Sequence, residues 1–380
     1  MTKYFKTKTT TFLARFRTQH TNEDQGGELV SAGMWIILNS YLNWYGKFSI
    51  LPYSLADRSI HVVQLKNGTR FIMKIWSLWG PFHSVLCFYF LMSTGKNPHQ
   101  LDDYADGVLS YVRPLVLLYV GFLPLVVTGI SYIISFCSEN VPSLINPIQD
   151  FERKFIDVGN TFGVKTPKIC NPRLESAVKL VMYLAPVATV TVVPVTVLLN
   201  LDPLSVWWST KAENVWSLRK VTSWLVRTLL LNIIAFEILK TAIAILVIAV
   251  IMLSATATSA DKLDKYVNSK PTFQTVSKLP VIKLYKEIQI WNQYTNINVC
   301  YDVVPPLIFF GICVIIVTNY ATVRLLGKLS GWVYSIAPGT SLAGIVFIMN
   351  LLPEAANVYE NSNKFLSSVR SRLIGKYEKR

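Results

Sequence analysis

Three ionisable side chains interrupt an apolar stretch that is long enough to cross a membrane. Arg227, Glu237 and Lys240 lie between Trp224 and Ala255, and charged groups at that depth are costly unless they are paired or hydrated. They are therefore our candidates for intramembrane chemistry. Glu237 and Lys240 are three residues apart and can pair on one helix face, so a structural ion pair and an ion or ligand pathway both stay open. Arg227 lies near the start of the stretch, where a long side chain can reach the interface.

The residue patterns of metal-dependent and nucleophilic enzymes do not occur in the sequence. Of the four histidines, His20, His61, His83 and His99, only His83 falls in an apolar stretch. The five cysteines form no CxxC pair, and HExxH, GxSxG and GxxxxGK[ST] motifs are missing from the sequence. We therefore predict that the protein is not an enzyme and that it binds no metal or other cofactor.

The elements that position these residues are long apolar segments. The chain has 380 residues, 52% of them apolar, and about 20 apolar residues in a helix cross the hydrocarbon core of a bilayer. Helices and closed barrels alone satisfy their backbone groups in lipid. We predict an all-α fold, a polytopic integral membrane helix bundle with about six transmembrane helices and further amphipathic helices. The predicted spans are 71–94, 112–136, 176–201, 224–255, 303–325 and 332–352.

The spans divide the chain into three regions. An N-terminal cytosolic region covers 1–70 and contains an interfacial helix near 35–51, where Trp and Tyr side chains favour the level of the lipid headgroups. The transmembrane bundle covers 71–352, and a cytosolic C-terminal tail covers 353–380.

Two loops of the predicted bundle contain amphipathic helices. In Ile148–Gly159 and Lys283–Val299, apolar residues recur at helical spacing and charged residues take the opposite face. We expect both helices to lie outside the membrane, with their apolar faces against other parts of the protein or against the lipid surface.

The distribution of Lys and Arg predicts the orientation. The net charge is +15, and basic cytoplasmic loops explain such a charge in a membrane protein, so we expect no nucleic acid partner. Most basic residues lie before residue 75, within 137–175 and 258–302, and after residue 352. By the positive-inside rule both termini are cytosolic, and we expect the plasma membrane. The basic residues assigned to the other side are Lys96, Lys211, Arg219, Lys220 and Lys328.

Most of the chain resembles a known family in its plan, and the resemblance is clearest from Leu284 onward. From Leu284, LYKEIQIWNQYTNINVCYDVVPPLIFFGICVIIV predicts an amphipathic helix that leads into a span, and LLPEAANVYENSNKFLSSVRSRL predicts a polar segment after the last span. The earlier IQDFERKFI, between the second and third spans, fits the same plan. The plan resembles divergent arthropod members of the insect gustatory and odorant chemoreceptor superfamily, especially the orphan receptors of springtails.

The resemblance implies a cytosolic N-terminus, seven transmembrane helices and a tetramer, or another homo- or hetero-oligomer, that forms a ligand-gated cation channel. It also implies a small apolar ligand in the outer half of the bundle. Family members line the pore with a last helix that carries a Thr-Tyr-apolar-Gln-Phe motif. This sequence reaches Arg380 without a seventh apolar stretch, so we expect a truncated chain or a member that lacks the last helix.

Two further functions stay open. Intramembrane Glu237 and Lys240, with prolines in the third and sixth spans, favour a secondary transporter. The second open function is a non-conducting accessory membrane protein, which would not use these residues for transport.

Overall fold

The computed structural model describes residues 29–48, 51–96, 109–137, 139–162, 172–205, 218–268, 279–297, 301–327 and 331–377. Of these residues 89% are helical, and the sheet in this part of the chain is a single two-stranded hairpin. The prediction of a helical fold is therefore confirmed.

Ten helices and one hairpin make up the described part of the chain. The hairpin consists of β1 (Tyr53–Ala56) and β2 (Ser59–Val62), and a short 3-10 helix covers Pro203–Ser205. The helices are α1 (Ala32–Phe48), α2 (Asn67–Lys96), α3 (Leu109–Phe136), α4 (Asn140–Phe162), α5 (Pro172–Leu198), α6 (Leu218–Asn268), α7 (Leu279–Thr295), α8 (Tyr301–Arg324), α9 (Gly331–Tyr334) and α10 (Ile336–Tyr377).

Four helical stretches of the described chain are long and apolar enough to cross a membrane. They are Val116–Ile134, Pro172–Ser205, Leu218–Asn268 and Val303–Arg324. These stretches indicate an integral membrane protein.

The two other predicted spans are also helical. The first, 71–94, lies in α2 and contains the shorter apolar stretch Leu78–Ser93. The last, 332–352, is divided between α9 and α10. The count of six transmembrane helices therefore stays a prediction.

Large apolar side chains cover the outside of several helices. On α8 the exposed residues recur every three or four positions, so that they form one continuous apolar face. A soluble protein rarely exposes so large an apolar surface, and a lipid environment removes this cost. The exposed apolar residues of α8 are Tyr301, Val304, Ile308, Phe309, Ile312, Ile316, Tyr320 and Val323.

Helix α6 is too long for a membrane crossing alone. Its 51 residues span roughly 75 Å at 1.5 Å per residue, more than twice a hydrocarbon core of about 30 Å. The second half of α6 is enclosed by α4, α7 and α10. We call the buried side chains of this region the distal core. Its central residues are Phe155, Leu263, Tyr266, Leu284 and Phe365.

The two predicted amphipathic helices are present as α4 and α7. On α7, Leu284, Ile288 and Trp291 are buried, as their helical spacing predicted. On α4, Phe155 is fully buried, whereas Ile156, which the pattern placed on the same face, is 42% exposed. The predicted tail 353–380 is helical up to Tyr377, because α10 continues through Pro353 and packs along α6.

The predicted interfacial helix corresponds to α1, whose apolar and aromatic side is buried in the protein. Trp35, Tyr41 and Tyr45 are each less than 5% exposed, and α1 contacts α5 and α6. Trp44 remains 42% exposed. The aromatic residues of α1 therefore pack mainly against helices.

The β-hairpin after α1 is held against α4. Its two-residue turn places Asp57 and Arg58 at positive φ, 49° and 60°, as the twist of a tight hairpin requires. Asn146 on α4 accepts from the Ile60 amide at 2.8 Å and donates to the Ile60 carbonyl at 3.1 Å. The Asn146 side chain thus satisfies the outer edge of β2.

Candidate functional site

Glu237 and Lys240 form an ion pair on α6. The Lys240 Nζ atom lies 2.5 Å from the Glu237 carboxylate, and their side chains are 4% and 21% exposed. Spacing of three residues brings them to one helix face, so this part of the sequence interpretation holds in the structure. The hydroxyl of Tyr41 on α1 donates a hydrogen bond to the Lys240 carbonyl at 3.1 Å.

A small cavity that Glu237 lines lies between α2, α3 and α6. Its volume is about 30 Å³, which suits one or two water molecules and excludes a drug-sized ligand. Glu237, Thr128 and Ser131 supply its polar lining. The remaining lining residues are Gly80, Pro124, Val127, Ile234 and Ile238.

Glycine allows α2 and α3 to approach closely around this cavity. A Cβ atom on Gly80 would lie 2.9 Å from the Thr128 hydroxyl oxygen, and a Cβ on Gly121 would lie 3.0 Å from the Cys87 Cβ. Small residues at such crossings bring helix backbones together in membrane proteins. The absence of a side chain at position 80 therefore permits the close approach of α2 and α3 beside the cavity.

Arg227 is buried and paired within the protein, and its reach to the membrane interface stays a prediction. The Arg227 Nε donates to an Asp202 carboxylate oxygen at 3.0 Å, and its Nη2 also contacts that carboxylate. The same Nη2 donates to the Val197 carbonyl at 3.2 Å and the Asn200 side chain at 3.1 Å. Arg227 thus joins the C-terminal end of α5 to α6. A pairing partner was needed because an isolated buried cation would be too costly.

The end of α5 presents these acceptors through a defined helix cap. Asn200 has φ 52°, and the Leu201 amide donates to the Thr196 carbonyl at 3.0 Å. A left-handed Asn directly after a helix, followed by such a bond, is a common C-terminal cap. It turns the chain so that Asp202, 2% exposed, faces Arg227.

Sequence reasoning did not single out Asp202, Thr128 or Ser131. In the sequence, Asp202 directly follows the third predicted span. An acidic residue that is buried at such a position needs a cation as its partner. Thr128 and Ser131 are single hydroxyl residues within an apolar helix, and such residues usually bond within their own helix. Only the approach of α6 gives them a common polar neighbour.

His83 is buried next to this region but has no catalytic arrangement around it. Its Nδ1 lies 3.6 Å from the Cys87 Sγ, and its Nε2 has no hydrogen-bond partner among the described residues. In that part of the chain no group of His, Cys, Asp and Glu could hold a metal ion. The site can hold an ion pair and water-sized molecules.

Comparison with protein-family models, with curated proteins and with solved structures found no match for this chain.

Proposed function

We propose that this protein is a polytopic membrane protein that acts as a subunit of a chemosensory-type ligand-gated cation channel. The observation that carries the proposal is α6, one continuous helix that runs from an apolar stretch of membrane length into the distal core. A continuous helix of this kind would transmit a displacement within the membrane to the distal core outside it.

Specific contacts fasten the distal half of α6 to its neighbours. Asn361 of α10 donates to the Ala257 carbonyl at 3.1 Å, and the Tyr266 hydroxyl donates to the Phe155 carbonyl of α4 at 3.1 Å. Displacement of α6 would therefore be transmitted to α4 and α10. Coupling of this type needs a contiguous packed network, and the distal core supplies one.

The charge pattern supports the proposed topology. The regions that it assigns to the cytosol include the hairpin, α4, α7 and the last part of α10, and α4, α7 and α10 meet around α6. Six transmembrane helices, cytosolic termini and a plasma membrane location belong to this proposal.

The proposed ligand is a small apolar molecule. The cavity at Glu237 is too small for such a molecule, so binding at that seam would have to separate α2 and α3 from α6. This separation would displace α6 directly, because α6 forms one wall of the seam. Because a tetramer would place its pore between subunits, the exposed apolar faces of α8 and α10 would meet lipid or neighbouring subunits.

Currents and stoichiometry test the proposal together. We expect a four-fold particle after purification, and cation currents when cells that express the protein are exposed to a panel of small apolar compounds. Phe365→Ala, at a position 1% exposed in the distal core, should reduce the evoked current at equal surface expression. Leu366→Ala, at the adjacent position that is 47% exposed, is the matched control. A monomer without evoked current would contradict the proposal.

A secondary transporter is the alternative, and the contact of Glu237 with the cavity favours it. Transport would depend on the ion pair, because an intramembrane carboxylate can take up a coupling ion or proton. Glu237→Gln or Lys240→Met should then abolish substrate flux into proteoliposomes. Wild-type flux in both variants would remove the support for this function.

A further inference from the structure

We infer that the cavity between α2, α3 and α6 is a water site that hydrates the Glu237 carboxylate inside the transmembrane region. The inference rests on the membrane location in the proposed function, and it is independent of channel activity. It assigns to the seam between these helices a small cavity that holds water beside a charged group in otherwise apolar surroundings.

Two of the groups that line the cavity can accept hydrogen bonds from water. The Thr128 hydroxyl donates its proton to the Pro124 carbonyl at 2.6 Å, so its oxygen faces its surroundings as an acceptor. The ionised Glu237 carboxylate can only accept. Lys240 supplies one donor, at 2.5 Å, and a carboxylate has room for more.

Water fits these requirements better than a metal cation does. A water molecule needs two to four polar partners and a cavity of at least about 10–15 Å³, and this cavity has about 30 Å³ with three polar residues around it. A cation would add charge beside the Lys240 ammonium, whose side chain is 4% exposed and has little room to withdraw. Water adds hydrogen bonds without charge.

The partial exposure of Glu237 also supports hydration. Its side chain is 21% exposed, whereas that of its partner Lys240 is 4% exposed. Burial of a charge in an apolar medium is strongly unfavourable unless hydrogen bonds replace its lost hydration. A water site in the cavity that Glu237 lines supplies these bonds and lets the ion pair exist within the transmembrane region.

Thiol accessibility in proteoliposomes tests this site. Ser131→Cys is nearly isosteric and places the reporter on the cavity wall, in a background in which the native cysteines are replaced by alanine. Hydrogen peroxide is close to water in size and oxidises thiolates, which form in water and are suppressed in apolar surroundings. We expect Ser131→Cys to react about tenfold faster than Leu125→Cys on the exposed face of the same helix. The replaced residues are Cys87, Cys137, Cys170, Cys300 and Cys313.

A filled cavity provides the second arm of the test. Gly80→Ala would place a methyl group 2.9 Å from the Thr128 oxygen, so it should slow the Ser131→Cys reaction several-fold. Gly129→Ala is the matched control, because a Cβ there meets nothing within 4 Å, and it should leave the rate unchanged.

The outcomes separate this inference from the channel proposal. Equal rates for Ser131→Cys and Leu125→Cys, or no effect of Gly80→Ala, would overturn the water site whether or not currents are measured. If Ser131→Cys does not fold, Thr128→Cys is the alternative reporter on the same wall, with the same expected ratio. A fast reaction at either position in a protein that gives no currents would support the water site and contradict only the channel.

Discussion

The hydroxyl of Tyr45 donates a hydrogen bond to the carbonyl of Met182, 3.2 Å away. Pro186 lies four residues after Met182 in α5, and proline has no N–H to complete the helical bond to that carbonyl. Tyr45 of α1 therefore replaces a missing backbone donor in α5. Burial raises the pKa of Tyr45 above its ordinary value, so the hydroxyl remains a donor at physiological pH.

Removal of this hydroxyl should be more costly than removal of its neighbour on α1. Tyr45→Phe leaves the buried Met182 carbonyl without a partner, at a cost of about 1–3 kcal/mol. Tyr41→Phe also loses a hydrogen bond, to the Lys240 carbonyl at 3.1 Å, but the Ala244 N–H can still serve that carbonyl. Thermal unfolding in detergent should show the larger decrease in Tm for Tyr45→Phe. A larger decrease for Tyr41→Phe would contradict this account.

The pair of Arg227 and Asp202 should show strong coupling. Arg227→Met leaves the fully buried Asp202 carboxylate without its cation, which costs about 3–5 kcal/mol. Asp202→Asn leaves the arginine charge without its carboxylate, and the double variant removes both charges. We therefore expect the double variant to be more stable than Arg227→Met alone, as measured by denaturant unfolding in micelles.

A surface pair gives the control for this cycle. Arg153 and Asp150 are 3.7 Å apart and about 70% exposed, so Arg153→Met should change stability by less than about 1 kcal/mol. Additive losses at Arg227 and Asp202 would show that the two side chains do not interact as the structure indicates.

Glu152 should control the start of α1. One of its carboxylate oxygens accepts from the Leu29 amide at 3.0 Å, and the other lies 3.7 Å from Arg58 in the hairpin turn. Glu152→Ala should therefore increase hydrogen exchange at Leu29 and Val30 by at least about tenfold, because the opened amides lose a charge-assisted bond. Asp150→Ala, at an exposed position of α4, should leave both amides protected.

Asn67 reports on the orientation. The sequence Asn67-Gly68-Thr69 is an acceptor for N-glycosylation, and Asn67 is exposed at the start of α2. The proposed topology places it in the cytosol, so the protein should show no change in mobility after glycosidase treatment when it is translated with microsomes. A glycan on Asn67 would show that this residue lies on the lumenal side, and it would contradict the proposed orientation. An acceptor introduced in the loop around Lys211 is the positive control.

Local patterns were sufficient for the helices that carry most of the fold. The spacing of Leu284, Ile288 and Trp291 predicted the buried face of α7, because helical periodicity depends only on neighbours in sequence. The spacing of Glu237 and Lys240 indicated that they can pair for the same reason, and the structure shows the pair. Burial of α1 was not predicted, because its Trp and Tyr side chains suit a membrane interface and a protein core equally well.

By itself the sequence determined that the protein is helical, that it has apolar helices of membrane length and that Glu237 can pair with Lys240. Each of these depends on composition or on contacts within one helix. Only the tertiary structure decided that Arg227 pairs with Asp202 and that a cavity lies beside Glu237. Both depend on how closely separate helices approach each other. The absence of a side chain at Gly80 permits one of these approaches, and the cap at Asn200 directs the other. Sequence spacing does not contain such distances, since they are set by the packing of residues far apart in the chain.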